Sequence, residues 1–352
     1  MKRILIDGRW INKTRGLGKY VKELLYTLNE YPQKDFEITV LVPKYSLEKE
    51  WPNIKFIVYP PLPFPIWEQF LIPYVAKKYK FDKVHFPYNT KSLIMNFMRI
   101  KQVVTIHDVM FFYNKGKGVY QKIGNLYRKI IVLLFGNNQD VITISEKSKE
   151  EIKKYTGLNS KVIYTSSMYT LKKFDEKNSI NGKLKNEKYF FAIGGISPHK
   201  NTEKMIKAFS LLRNDGYKLY IAGLPKKNYL SSYEDDERII FTGWLSDKDI
   251  ASYYKYARGI LFPSLCEGYG LPITEAFCFY KPVLTSNISP MSELAGNAAI
   301  LINPYSLIEM KQGIKKMKND DVCKKIIEEI KKRQKVFSPK VMAELMYDIY
   351  GE

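Results

Sequence analysis

Residues 189–213 read YFFAIGGISPHKNTEKMIKAFSLLR, and the hydrophobic pattern changes partway through. Tyr189 to Ile193 is an unbroken apolar run closed by two glycines, as expected of a strand buried on both faces. Asn201 to Arg213 carries a helical pattern. A strand, a glycine turn and a helix make half of a βαβ unit, so the segment predicts a parallel sheet with helices on its faces.

The same alternation continues downstream through KLYIAG, RIIFTG, GILFP, KPVLTS and AAILIN. Upstream lies a second series: RILID, ITVLV, KFIVY, DKVHF, QVVTIHD and DVITIS, with a helical pattern from Tyr20 to Leu28. A polar, lysine-rich stretch around residues 166–188 separates the two. The expectation is an α/β chain of two Rossmann-like, doubly wound domains facing each other across a cleft. The boundaries read as 1–170, a linker over 171–187, and 188–338, followed by a helix over 339–352.

Composition sets outer limits. A length of 352 residues suits two domains, and 45% hydrophobic residues suffice for two cores. No apolar run is long enough to span a bilayer, and Ile130 to Phe135 reads as a helix-sized core patch. The first residues lack the pattern of a secretion signal. Three scattered cysteines (Cys266, Cys278, Cys323) lack metal-ligand spacing and suit a reducing cytoplasm. The formal net charge of +21 favours polyanions, from phosphorylated substrates to an anionic membrane face. Aromatic-interleaved basic stripes are missing, so no nucleic-acid partner is expected. The stretch Tyr59–Tyr74, with Phe64, Trp67 and Phe70, suits a membrane interface or acceptor groove, or an ordinary packed loop and helix.

In open α/β sheets ligands bind beyond the carboxyl ends of strands. Four loops there carry chemistry. GGISPHKN offers Gly194 and Gly195 for a tight turn, Lys200 as a cation and Asn201 as a helix cap, which suits a diphosphate. SLCEGYGLPITEAF presents Gly268 and Gly270 before a helix start, with Glu267 ahead and Glu275 inside. Those carboxylates could accept sugar hydroxyl protons, or balance a helix dipole. TIHD puts His107 and Asp108 at a strand end, where a structural histidine is an equal reading. DGRWINKTRGLGK supplies Gly16 and Gly18, without G-x-G-x-x-G spacing. Asp235 and Asp236 precede a strand rather than follow one, so no metal or other cofactor is expected.

Taken together, GGISPHKN…IKAFSLL, SLCEGYGLPITEAF and KPVLTSNISPMSELAGNAAILINP resemble glycosyltransferase family four. The opening IDGRWINKTRGLGKYVKELL, TIHD and ITISEKSKEEI are similar to that family's acceptor-side domain, and VFSPKVMAELMYDIY to its closing helix, which crosses back onto the N-terminal domain. The resemblance implies the GT-B fold and retention of anomeric configuration. Glu267 and Glu275 match the E-x7-E signature. The implied roles are Lys200 on the donor diphosphate, Glu267 on the donor sugar and Glu275 on the ribose. Gly268, Gly270 and Leu271 would offer backbone amides. His107 would contact the sugar or align the acceptor, and Gly16 and Gly18 would lie near the diphosphate. Gly195 departs from the pattern, since many members place arginine there.

The expected function is metal-independent hexosyl transfer from a nucleotide-sugar, GDP-mannose first and UDP- or dTDP-sugars next. The expected acceptor is a glycan or lipid-linked glycan in surface-polysaccharide or O-antigen assembly. The expected location is the cytoplasm, with peripheral contact at the inner membrane face. The competing readings are a nucleotide-sugar epimerase or hydrolase of the same fold, and a basic nucleic-acid-binding protein.

Overall fold

The computed structural model describes residues 1–13, 16–43, 51–98, 100–113, 118–195, 197–224 and 236–352. Asp235 and Ile196 lie outside them. The chain divides into two compact units, residues 1–166 with 339–352, and residues 167–338.

The first unit is built on β1 (Lys2–Asp7), β2 (Phe36–Val42), β3 (Lys55–Val58), β4 (Lys83–Phe86), β5 (Lys101–Ile106), β6 (Gln139–Thr143) and β7 (Lys161–Val162). They form one sheet in the order β3-β2-β1-β4-β5-β6-β7, and every pairing is parallel. Register is set centrally by Leu5 of β1, opposite Thr39 on one side and Val84 on the other. One face of the sheet buries Leu5, Val84 and Val104 against Trp67, Ile72 and Val75 of the helical segment 64–78. Burying each such side chain stabilises by roughly 1.5–3 kcal/mol.

The last helix, Pro339–Gly351, belongs to this unit. Lys83 Nζ donates to the Ile349 carbonyl at 2.6 Å, and the buried His85 ring meets Tyr350 Oη at 2.8 Å.

The second unit contains β8 (Lys188–Ile193), β9 (Tyr217–Ala222), β10 (Ile239–Gly243), β11 (Gly259–Phe262), β12 (Val283–Ser286) and β13 (Ile300–Ile302). Their order is β10-β9-β8-β11-β12-β13, again wholly parallel. Phe190, Ile221 and Leu261 pack on Met205, Ile206 and Phe209 of the helix Thr202–Ser210. In both sheets the strand order reverses beside the first strand, between β1 and β4 and between β8 and β11. Such a switch point opens a crevice beyond the strand ends.

Two expectations need correction. The stretch read as a linker folds into the second unit: it forms helices Met168–Lys172 and Ile180–Lys185, with Leu184 buried. Its lysines mark solvated faces of short helices rather than an open tether. The patch read as core at Ile130–Phe135 is mostly outside. Only Ile131 and Val132 are buried, while Ile130, Leu133 and Leu134 are exposed on or just after the helix Val119–Leu133. Of the two readings of the aromatic stretch at 59–74, Trp67 follows the packed one: it is fully buried, and its indole Nε1 donates to Asp7 Oδ1 at 2.9 Å.

Candidate active site

At the switch point of the second sheet, the loops after β8 and β11 come together. The Leu265 amide donates to the His199 carbonyl at 2.7 Å. Asn201 Nδ2 donates to the carbonyls of Pro263 and Pro304 at 3.1 and 2.8 Å. Asn201 is thus a clamp between loops, and its side chain makes no capping bond to the helix that follows. It holds a left-handed backbone (φ 55°), which asparagine tolerates better than most residues.

That clamp presents Lys200 to Glu267. Lys200 Nζ lies 2.7 Å from Glu267 Oε1, with side chains 27% and 16% exposed. Ser264 Oγ donates to the same oxygen at 2.8 Å. Burial holds the His199 imidazole below its ordinary value, opposed by the Glu267 carboxylate and reinforced by Lys200. A positive nitrogen and a carboxylate, both reachable from solvent, are thereby fixed at the head of a crevice.

The glycines act chiefly by leaving room. A Cβ on Gly195 would sit 3.0 Å from Lys200 Cγ, and one on Gly194 would come within 2.8 Å of Ile221 Cγ2. Glycine at 195 therefore lets the lysine stem lie against the loop. Gly270 is needed for conformation: at φ 140° it begins the helix Leu271–Cys278, which has Pro272 in its first turn. Gly268 and Leu271 are half-buried beside that helix start, and Gly270 is buried beneath it.

Glu275 lies inside the same helix and is only 1% exposed. Its Oε2 accepts from Tyr254 Oη at 2.8 Å and its Oε1 from Thr170 Oγ1 at 3.4 Å. Burial and the Glu275 charge push the Tyr254 hydroxyl well above its ordinary value, so it stays a donor. Thr274, one residue earlier, shares a 2.7 Å hydroxyl bond with Ser167. The stretch read as a linker thus supplies Thr170 and Ser167 to this helix.

In the first unit, His107 follows β5 and is buried. Burial pushes its imidazole down to about 4. Its Nε2 lies 2.9 Å from the Pro87 carbonyl, which can only accept, so Nε2 carries the hydrogen and Nδ1 is left as an acceptor. At neutral pH it is therefore an uncharged, oriented ring, edge-on to Tyr20 at 4.6 Å. Asp108 turns back on its own loop, its Oδ1 accepting from the Met110 amide at 3.0 Å. Gly18 is buried under the Lys13 carbonyl, which a Cβ would approach to 2.2 Å, so it is a packing glycine. Gly16 precedes the helix Leu17–Glu30 at φ 50° with open space about it.

The sequence reading missed a second polar centre, at the end of β1. Asp7, Arg9 and Glu68 are all buried there. Arg9 Nη2 lies 3.3 Å from Asp7 Oδ2, and the guanidinium packs over the Phe64 ring at 4.1 Å. Desolvation raises the Asp7 carboxyl, against the lowering effect of Arg9, and pushes Glu68 up to about 7. The only hint in the sequence is that ILIDGR ends an apolar strand in opposite charges.

Among the described residues, no group of three His, Cys, Asp or Glu side chains is placed to hold a metal ion. Among them, too, no helix is long and apolar enough to cross a membrane.

Two parallel Rossmann-like sheets of matching order, the second carrying this lysine, glutamate and glycine cluster, define a GT-B-class protein. Residues 14–166 match the family described as Glycosyltransferase Family 4, and residues 173–333 match Glycosyl transferases group 1. The chain belongs to this glycosyltransferase family. It is 28% identical over 212 residues to the O-antigen chain mannosyltransferase RfbU of Salmonella typhimurium, covering 58% of this chain and 57% of that protein. It is 26% identical over 240 residues to the serotype-specific mannosyltransferase WbdA of Escherichia coli, covering 63% and 29%. The match thus spans less than two thirds of the length of either relative. Among solved structures, Anabaena Alr3699/HepE in complex with UDP and glucose superposes with a TM-score of 0.75 at 17% identity, over 100% of both chains.

Proposed function

We propose that the protein is a retaining glycosyltransferase. It moves a hexose from a nucleotide-sugar to a glycan or lipid-linked glycan in surface-polysaccharide or O-antigen assembly. The observation that carries this reading is the Lys200–Glu267 pair, fixed by Ser264 at the switch point of the second sheet. The relatives named as mannosyltransferases favour GDP-mannose as the first donor to test. HepE, named with UDP and glucose, makes UDP-sugars the second.

In this reading the acceptor hydroxyl oxygen bonds to the anomeric carbon as the bond from that carbon to the phosphate oxygen breaks. The acceptor proton passes to the departing phosphate oxygen. Negative charge grows on the diphosphate, and Lys200 with the amides at Gly268 to Leu271 meets it without rearrangement, so no metal is required. Glu267 accepts hydroxyl protons from the donor sugar. Glu275 takes the ribose, which requires Thr170 to yield its long bond while Tyr254 holds the other oxygen. His107, neutral and fixed, offers Nδ1 to a hydroxyl.

A thermal-shift screen of UDP-, GDP- and dTDP-sugars without metal tests the donor site, since a ligand that prefers the native state raises its stability. A shift for one nucleotide class that is lost in Lys200→Ala and Glu275→Ala supports the reading. A glycosyl-enzyme trapped on Glu267, or donor consumed at full rate with no acceptor, would replace it with a hydrolase.

A further inference from the structure

In the first unit two neighbouring helical segments turn apolar stripes outward. On residues 64–78, Ile66, Phe70 and Tyr74 stand four apart and are exposed, Phe70 by 63%. On the helix Val119–Leu133, Ile123, Leu126 and Ile130 alternate by three and four and are likewise exposed, with Tyr120 beside them 93% exposed. Such spacing puts each set on one helix face. Tyr127 joins the two segments: its ring packs edge-on to Phe64 at 5.1 Å, and its hydroxyl lies 2.9 Å from Gln69 Nε2 and 2.7 Å from Glu68 Oε1. The stripes therefore lie on two adjoining segments, which the buried Trp67, Glu68 and Val132 anchor to the core.

The exposed charges on these two segments are of one sign. The helix Val119–Leu133 contains Lys122, Arg128 and Lys129 and no acid. Residues 64–78 contain Lys77 and Lys78, and their one acid, Glu68, is buried. An isologous contact between two copies would set these bases against their own images, at a cost in repulsion. An anionic lipid surface satisfies both features, taking the aromatic and aliphatic side chains below its headgroups and the bases among them.

We infer that this two-helix platform docks the protein on an anionic lipid bilayer. The inference deepens the proposed transfer to lipid-linked acceptors by assigning the surface that meets the membrane, and donor binding does not depend on it. Side chains of Ile123, Leu126 and Phe70 enter the interface, and Lys122, Arg128 and Lys129 add an attraction that salt screens.

The experiment is flotation of the full chain with vesicles of phosphatidylglycerol and phosphatidylcholine, and of phosphatidylcholine alone, at low and high salt. Binding to the anionic vesicles only, weakened by salt, is expected. Ile123→Ser with Leu126→Ser, and separately Phe70→Ser, should each reduce it at least tenfold, with circular dichroism unchanged. These exposed positions can be changed without opening the core. The nucleotide-sugar thermal shift is measured on the same variants and should persist, so failure of docking is distinguishable from failure of the donor site. Absence of vesicle binding at low salt overturns the inference, as does binding that these substitutions leave intact. A concentration-dependent dimer that the substitutions abolish, with no vesicle binding, assigns the face to a second copy and overturns it too.

Discussion

Each sheet carries an ion pair just beyond its first strand, at its switch point, and the two pairs are built in opposite ways. Lys200 and Glu267 in the second unit stay partly exposed, and Ser264 adds a hydroxyl to the pair. Arg9 and Asp7 in the first unit are buried beneath Phe64 and Trp67, with a second carboxyl, Glu68, close by. Solvent reaches the first pair, so on the proposed reading an incoming diphosphate or sugar hydroxyl replaces either partner. Desolvation locks the second. One topology therefore carries a solvent-reachable pair in one unit and a buried one in the other, depending on what covers the strand ends.

The sharpest way to break this comparison is to remove Arg9. Arg9→Leu leaves Asp7 buried without its cation, and breaking such a pair costs about 3–5 kcal/mol. Urea unfolding at pH 8 should show a loss of that size, shrinking as the pH is lowered and Asp7 takes up a proton. A loss under about 1 kcal/mol at pH 8 would mean that the two pairs are alike after all.

Removing Lys200 should have the reverse signature. Lys200→Ala should lower kcat by about 10²–10³-fold, corresponding to about 2.7–4 kcal/mol in the transition state. Its effect on unfolding should stay within about 1 kcal/mol, as for other solvent-screened pairs. Kinetics and unfolding on one preparation separate the two. Equal losses in stability and rate would make Lys200 a brace like Arg9.

This division also explains what the sequence disclosed. Strand after strand was legible because an apolar run between polar loops has one meaning in a parallel sheet. Lys200, Glu267 and the glycines were legible because they lie on strand-end loops. Tyr254 and Thr170 carried no such mark. They reach Glu275 from a helix 21 residues earlier and from a stretch read as a tether, through contacts that only packing creates. The Asp7–Arg9–Glu68 centre was hidden for the same reason, since its third member lies some sixty residues from the first. The patch at Ile130–Phe135 was read as core because an apolar run does not say whether protein covers it, and Ile130, Leu133 and Leu134 are exposed.

A third test uses pH. Glu68 titrates near 7 in the folded protein, against an ordinary value of 4.5, because burial disfavours its charge. The folded state then binds the proton more tightly than the unfolded chain. Stability from this group is full below about 4.5 and is lost as the pH rises through 7. His85 and His107 act in the other direction. Burial depresses them to about 3 and about 4, so stability is lost as the pH falls below their ordinary 6.5. Glu68→Gln should abolish the first trend alone. The stability of the variant relative to the native protein should rise by about 3 kcal/mol between pH 4.5 and pH 8, measured by urea unfolding. A constant difference would mean that Glu68 is solvated in solution and the brace is looser than its burial implies.

The smallest expected effect probes the boundary between brace and site. Tyr254→Phe removes one hydroxyl from a buried carboxylate and leaves the ring stacked on Phe279, 5.8 Å between centroids. If Glu275 is only structural, the variant should lose about 1 kcal/mol of stability and keep its nucleotide affinity. If Glu275 also receives the ribose, losing Tyr254 leaves its carboxylate poorly oriented, and the nucleotide Kd should rise several-fold beyond any change in Tm. Isothermal titration with the nucleotide class found in the donor screen decides between these. The ribose role predicts the second outcome, in which a buried carboxylate of the second unit serves as brace and ligand together.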